Sequence, residues 1–82
     1  MPDFELTVRQ IIHEELDLPM KKINPSSHFV NDLGADSFDT INILSGIQSK
    51  FKITISQEEA SELSTVSQLA EKVEQKYHSA AK

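Results

Sequence analysis

The stretch LGADSFDTINIL, residues 33–44, contains a helix start that decides how the rest of the chain is interpreted. The Asp36 carboxylate can accept hydrogen bonds from the free backbone N–H groups of a first helical turn, so it is predicted to open a second helix. At about 100° per residue, one third of this helix's circumference carries an apolar seam. The seam consists of Ile41, Leu44, Ile47 and Phe51, where the helix is expected to end. Ser37 points the same way one turn earlier, which predicts an exposed hydroxyl at the rim of the core.

A first amphipathic helix is predicted from about Asp3 to Asp17, where apolar residues recur at spacings of three and four. The connection that follows, from Leu18 to Asp36, is longer than most loops in a compact domain. We therefore expect its apolar side chains to hold it against the core. These are Met20, Ile23, Phe29, Val30 and Leu33.

Two capping-box patterns predict the remaining helices. Ser56 followed by Glu59 indicates a short third helix that ends near residue 62, and Thr65 followed by Gln68 indicates a fourth helix with an apolar stripe over about three turns. The segment FKITIS, residues 51–56, alternates like a strand, but a single short strand would have no partner. It is interpreted as a loop.

Together these elements predict an all-α fold, a small four-helix bundle with a long first loop and a short third helix. At 82 residues the chain is expected to form one domain, residues 1–82, of which residues 78–82 lack an apolar anchor and should fray. A net charge of −5 opposes binding to nucleic acid, and no apolar run is long enough to span a membrane. We expect a cytoplasmic monomer.

In the order and spacing of these elements the chain resembles the acyl carrier proteins, which carry a D-S-L motif at the start of their second helix. The similarity covers nearly the whole chain, including the segment FKITISQEEASELSTVSQLAEKV at residues 51–73. It implies that Ser37 is a phosphoester site for a 4′-phosphopantetheine arm, transferred from coenzyme A by a phosphopantetheinyl transferase. The chain has no cysteine, so the arm would supply the thiol.

The resemblance implies a carrier of acyl thioesters rather than an enzyme. Its partners would be the acyl-transferring and synthase enzymes of fatty-acid, polyketide or related specialised lipid synthesis, and it is most similar to the freestanding carriers. The residues expected to recognise partners are Asp36, Phe38, Asp39, Asn42, Glu58 and Glu59. Because Ile41, Leu44 and Ile47 share the direction of Ser37, we expect them to line a space for an acyl chain.

The second helix departs from the acidic face of housekeeping fatty-acid carriers. Asn42 stands where glutamate is common, residues 48–50 are Gln-Ser-Lys in a region usually rich in glutamate, and Phe38 replaces the more usual leucine. Exposed charges tune encounter and specificity, so this change predicts a specialised carrier with different partners. Gly46, placed on the outward side, costs about 1 kcal/mol relative to alanine; it either permits a close approach or is a tolerated weakness.

The same residues leave one other class of function open. An unmodified bundle that acts as a regulatory or interaction module is the alternative to the carrier. A hydrolase elbow is absent because Ala35 and Asp39 occupy its glycine positions, and no nucleophile, base and orienting group share a recognisable spacing. An EF-hand counted from Asp32 would need glutamate where Ile43 stands. The sequence thus predicts no catalytic and no metal-binding residue.

Overall fold

The computed structural model describes residues 3–80, and these residues form four α-helices and one short 3-10 turn without a β-strand. The all-α prediction is confirmed, as is the loop assignment of residues 53–56. The helices are α1 (Phe4–Leu16), α2 (Ser37–Phe51), α3 (Gln57–Ser61) and α4 (Val66–Ala80), and the 3-10 turn spans Met20–Lys22.

Side-chain caps set where the helices begin, and those at Ser56 and Thr65 were predicted. The Leu6 amide donates to Asp3 Oδ1 at 3.0 Å at the start of α1. At α3 the Glu59 amide donates to Ser56 Oγ at 3.1 Å, while the Ser56 amide donates back to Glu59 Oε1 at 3.2 Å. The same reciprocal pair joins Thr65 and Gln68 before α4. Each box satisfies backbone N–H groups that a helix start leaves without partners.

The core lies where α1 packs against α4 and α2. Six side chains with no exposed surface form its centre: Val8, Ile12, Ile23, Ile47, Val66 and Val73. On α2 the predicted seam was wrong at one edge, because Ile43 is 2% exposed whereas Ile41 is 52% exposed. Packing against both α1 and α4 turns the buried face of α2 toward Ile43, away from Ile41.

The long loop is held by most of the apolar residues predicted to hold it. Ile23, Phe29 and Leu33 are buried, and Met20 is half-buried, but Val30 is 57% exposed and does not anchor the loop. A further anchor is Arg9 of α1, whose Nε donates to the Ile23 carbonyl at 2.6 Å and whose Nη2 donates to the Met20 carbonyl at 3.1 Å. The loop is thereby tied to α1 before it reaches α2.

Two residues of α2, Gly46 and Gln48, contact neighbouring elements of the fold. Gly46 does not face outward: a Cβ atom there would lie 3.3 Å from Cγ2 of Ile11, so the glycine permits close packing of α2 on α1. Gln48 is half-buried, and its Oε1 accepts from the Ile55 amide at 2.8 Å. α4 continues to Ala80, and the His78 ring packs 6.0 Å from that of Phe4; the fraying of residues 78–82 stays a prediction. Residues 81–82 lie outside the described range.

Candidate functional site

Ser37 is the first residue of α2 and is exposed. It follows the extended N-cap residue Asp36, which has φ −96° and ψ −173°. The backbone N–H groups of a helix start and the helix dipole favour negative charge at this end. The Ser37 hydroxyl therefore lies where a phosphate ester would be stabilised.

A reciprocal capping box surrounds Ser37. The Asp39 amide donates to Asp36 Oδ1 at 2.8 Å, and the Asp36 amide donates to Asp39 Oδ2 at 3.2 Å. The Thr40 hydroxyl adds a hydrogen bond to the Asp36 carbonyl at 3.0 Å. The predicted cap at Asp36 is confirmed, and both carboxylates fix the backbone that presents the serine. Each therefore has a structural role whether or not it also meets a partner.

An open groove of about 600 Å³ begins at Ser37 and runs between α2 and α3. Its walls are mainly apolar and include Val30, Ile41, Leu44, Gln57 and Ala60. We call this space the Ser37 groove. Ile41 and Leu44 thus lie where the sequence placed them, beside the serine, whereas Ile47 is fully buried and lines no part of the groove.

Behind the groove lies a smaller apolar cavity of about 20 Å³, enough for about one water molecule. Thr40, Leu44 and Ala60 line both spaces and form the partition between them. The inner side of this cavity is formed by Phe29, Ile43, Leu63 and Leu69. The cavity is too small for an acyl chain, so of these two spaces the Ser37 groove is the one with room for it.

Val30 and Ala60 are among the groove residues that were not predicted from the sequence. Val30 belongs to the long loop, and Ala60 belongs to α3 across from Ser37. Helical periodicity assigns directions only within one helix, so it could not place a loop residue or a second helix opposite α2. The apolar character of Val30 was noticed, but the loop path that exposes it depends on contacts distant in sequence.

α3 forms the far wall of the groove and contains no buried residue. Glu59 holds it to α4, with Oε2 lying 2.6 Å from Lys76 Nζ and 3.8 Å from Lys72 Nζ. The bond from Lys76, together with the Ser56 amide, lowers the pKa of the Glu59 carboxyl to about 2. Glu59 is therefore engaged within the molecule, whereas Glu58 is exposed.

The outward side of α2 beside Ser37 carries one large apolar residue and a run of neutral polar residues. Phe38 is 77% exposed, and Asn42, Ser45 and Ser49 are exposed along the following turns. Within residues 3–80 no group of acidic residues and histidines is arranged to hold a metal ion. No helix in this range is long and apolar enough to cross a membrane.

Comparison with known proteins agrees with this geometry. A family described as "Phosphopantetheine attachment site" matches residues 7–73. An acyl carrier protein of Buchnera aphidicola subsp. Acyrthosiphon pisum, strain Tuc7, is 37% identical over 76 residues, which cover 93% of this chain and 95% of the relative. The acyl carrier protein of strain 5A is 41% identical over 66 residues, covering 80% of this chain and 82% of the relative.

Proposed function

The chain belongs to the acyl carrier protein family, and on that premise we propose that Ser37 is the residue that carries its 4′-phosphopantetheine group. The observation that carries this proposal is the position of Ser37, exposed at the first residue of α2 and at the mouth of an apolar groove. The N–H groups of the helix start suit the phosphate, and the groove suits an apolar cargo.

Proteins of this family are carriers and not catalysts. The residues around Ser37 therefore position the serine and shield the attached group from water, and they take no part in a reaction. When attached, the group supplies a thiol that holds an acyl chain as a thioester. The Asp36–Asp39 capping box holds the serine in place, and the walls of the Ser37 groove exclude water from one side of the cargo. The chain itself has no cysteine that could compete for acyl groups.

We place the acyl chain in the Ser37 groove, against Ile41 and Leu44. Val30 and Ala60 face the same space and add apolar surface to it. Ile47 is withdrawn from this assignment because it has no exposed surface. Since burying a methylene group contributes about 0.8 kcal/mol, even partial cover by these walls favours a folded-back chain over a solvated one.

The partners implied by the family are a phosphopantetheinyl transferase and acyl-handling enzymes. The pathway we propose is fatty-acid, polyketide or related specialised lipid synthesis. The neutral outward side of α2 supports a specialised pathway, because exposed charge sets which partners are met. Of the six residues predicted to recognise partners, Phe38, Asn42 and Glu58 are exposed and free of the capping boxes. A cytoplasmic monomer stays a prediction.

The test is intact mass after incubation with coenzyme A and a broad-specificity phosphopantetheinyl transferase. Ser37 displaces the nucleotide half of coenzyme A from the phosphate and loses its hydroxyl proton, so the protein gains one phosphopantetheine group. We expect this addition in the wild type and none in Ser37→Ala. Ser26→Ala, which changes an exposed serine of the long loop, should be modified as fully as the wild type.

The absence of cysteine offers a second, independent readout. A thiol reagent should label the loaded protein once per chain and should leave the unloaded protein and Ser37→Ala unlabelled. If two different transferases add nothing to a wild type that is unmodified beforehand, the proposal fails and the unmodified interaction module is favoured.

A further inference from the structure

The loop before α2 contains a short turn that begins with a histidine. The Asp32 amide donates to the His28 carbonyl at 3.0 Å, which closes one helical turn. Ring Nδ1 of His28 accepts from the amides of Val30 and Asn31, each at 3.2 Å. In return, the His28 amide donates to Asp32 Oδ2 at 2.7 Å, in the manner of a capping box. The His28 side chain therefore caps the start of this turn.

The His28 cap requires a neutral ring. Two N–H groups donate to Nδ1, so this nitrogen carries no proton, and the neutral ring has its proton on Nε2. A second proton would place an N–H opposite two N–H groups and would remove both hydrogen bonds. His13 has the opposite arrangement, because its Nδ1 contacts the Leu18 carbonyl, an acceptor, and carries a proton in either charge state. Protonation thus breaks the ring's hydrogen bonds at His28 and preserves the one at His13.

The charged groups around the turn favour a protonated ring that has left the cap. The titratable neighbours are Asp32 on the turn itself, Asp36 after it, and Glu62 just before Thr65, the residue that pairs with His28. All three are exposed carboxyl groups. A carboxylate attracts a charged imidazole, whereas the N–H groups at the start of a helical turn repel it. A charged ring is therefore expected to move from the amides toward the carboxylates.

Both ends of the turn are held by contacts that do not involve the ring. The Phe29 amide donates to the Ser64 carbonyl at 3.0 Å, and the Ala35 amide donates to the Phe29 carbonyl at 2.9 Å. The Phe29 side chain is also buried. Between these anchors lies Val30, which is 57% exposed and lines the Ser37 groove. Loss of the cap should therefore free the segment that contains Val30 and leave its ends in place.

We propose that His28 is a pH-sensitive positioning residue for the Ser37 groove: the neutral ring holds Val30 in the groove wall, and the protonated ring releases it. Histidine changes charge between about pH 5 and pH 8, so a modest fall in pH is enough to open this wall. The consequence for an acyl chain rests on the proposed function, because it requires the chain to lie in that groove.

The first measurement follows the unloaded protein by NMR at about pH 7.5 and about pH 5. We expect the His28 ring to be the Nε2–H tautomer at the higher pH and doubly protonated at the lower. The protection of the Val30 and Asn31 amides against hydrogen exchange, corrected for the intrinsic rate, should fall about fivefold with it, as for the loss of one cap. The Ile12 amide in the core should keep its protection, because the rest of the fold is intact.

Three variants identify the source of this response. His28→Ser supplies a cap that does not titrate, because a serine oxygen accepts the same amides, and should keep the protection at both pH values. His28→Ala should lose it at both. His13→Gln removes a histidine whose ring donates its hydrogen bond and should keep the wild-type response. A wild type without the response, or a response that survives in His28→Ser, would overturn the inference.

The second measurement uses the loaded protein with an octanoyl chain attached. The shift that this chain causes in the Val30 methyl signals should shrink from about pH 7.5 to about pH 5 in the wild type and persist in His28→Ser. An equal shift at both pH values in the wild type would overturn the role of His28 in the groove. If the wild type cannot be loaded, the proposed function fails, and the amide measurement still decides whether His28 positions the turn.

Discussion

Ile47 and Ile41 lie on the same helix and are chemically identical, yet Ile47 has no exposed surface and Ile41 is 52% exposed. Ile47 belongs to the region where α1, α2 and α4 meet, which contains the fully buried residues. Ile41 belongs to the region between α2 and α3, which contains the Ser37 groove and a helix without a buried residue. The difference teaches that one side of α2 stabilises the fold while the other keeps apolar surface available for binding.

The largest expected effect comes from truncating these two isoleucines in turn. Ile47→Ala removes side-chain volume from the closed core and should lower the free energy of unfolding by about 2–5 kcal/mol. Ile41→Ala changes a half-exposed side chain on the groove, so its free energy of unfolding should stay within about 1 kcal/mol of the wild-type value. Urea unfolding followed by circular dichroism measures both. Equal losses of unfolding free energy in the two variants would contradict the difference between the two regions.

A smaller loss is expected from Arg9→Ala, because Arg9 fastens the long loop that leads to Ser37. The variant gives up charged hydrogen bonds to the carbonyls of Ile23 and Met20. Hydrogen bonds to charged groups contribute about 1.5–3 kcal/mol, so a loss of about that size in total is expected in urea unfolding. Lys22→Ala, which removes an exposed cation from the same loop, is the control and should unfold like the wild type. An unchanged Arg9→Ala would show that the apolar anchors alone hold the loop.

Gly46 and Ser45 compare the two sides of α2 at adjacent positions. In Gly46→Leu the new side chain meets Ile11 Cγ2, which would lie 3.3 Å from the first added carbon. Overpacking costs about 1–3 kcal/mol and outweighs the gain of up to about 1 kcal/mol in helix propensity, so a net loss is expected. Ser45→Leu adds the same side chain on the exposed side and should cost less than about 0.5 kcal/mol. The thermal unfolding midpoints of the two variants measure this difference. Equal midpoints would contradict close packing at Gly46.

The smallest effect concerns the attachment of α3. Glu59→Gln keeps the capping geometry but loses the ion pairs to Lys76 and Lys72. The folded-state pKa of Glu59 is lowered from 4.5 to about 2, so its stabilising contribution is complete above pH about 4.5 and is lost as the pH falls through about 2.

The difference in unfolding midpoint between the wild type and Glu59→Gln should therefore be small, present at pH 7 and absent near pH 2. Glu58→Gln, which removes the neighbouring exposed carboxylate, is the matched control and should show a smaller difference at pH 7. A difference between the wild type and Glu59→Gln that persists at the lowest pH would show that the ion pair is not its source.

The parts of the fold that could be predicted are those determined by neighbouring residues. The caps at Asp36, Ser56 and Thr65 depend on groups within three positions; the first was identified from its residue type and the other two from capping-box spacing. The exposure of Val30 and the hydrogen bonds of Arg9 depend on residues that meet only after the chain folds. Arg9, for example, is 14 residues from the Ile23 carbonyl to which it donates.

The candidate site likewise has a part that could be predicted from neighbouring residues and a part that could not. The exposure of Ser37 at the start of α2 followed from the helix start and the apolar period. The groove walls could not be predicted completely from the sequence. The helical period predicts the direction in which Ile47 points, but it does not predict whether α1 and α4 fill the space there or leave it open. Packing by those two helices removed Ile47 from the groove and left Ile41 on it.

The most direct test of this two-sided account is methyl NMR of the loaded protein, first with a free thiol and then with an octanoyl chain attached to it. The account predicts that attachment shifts the methyl signals of Val30, Ile41 and Leu44 and leaves those of Ile47 and Ile12 in place. Signals of Ile41 and Leu44 that do not move, or an Ile47 signal that moves as far as theirs, would contradict it.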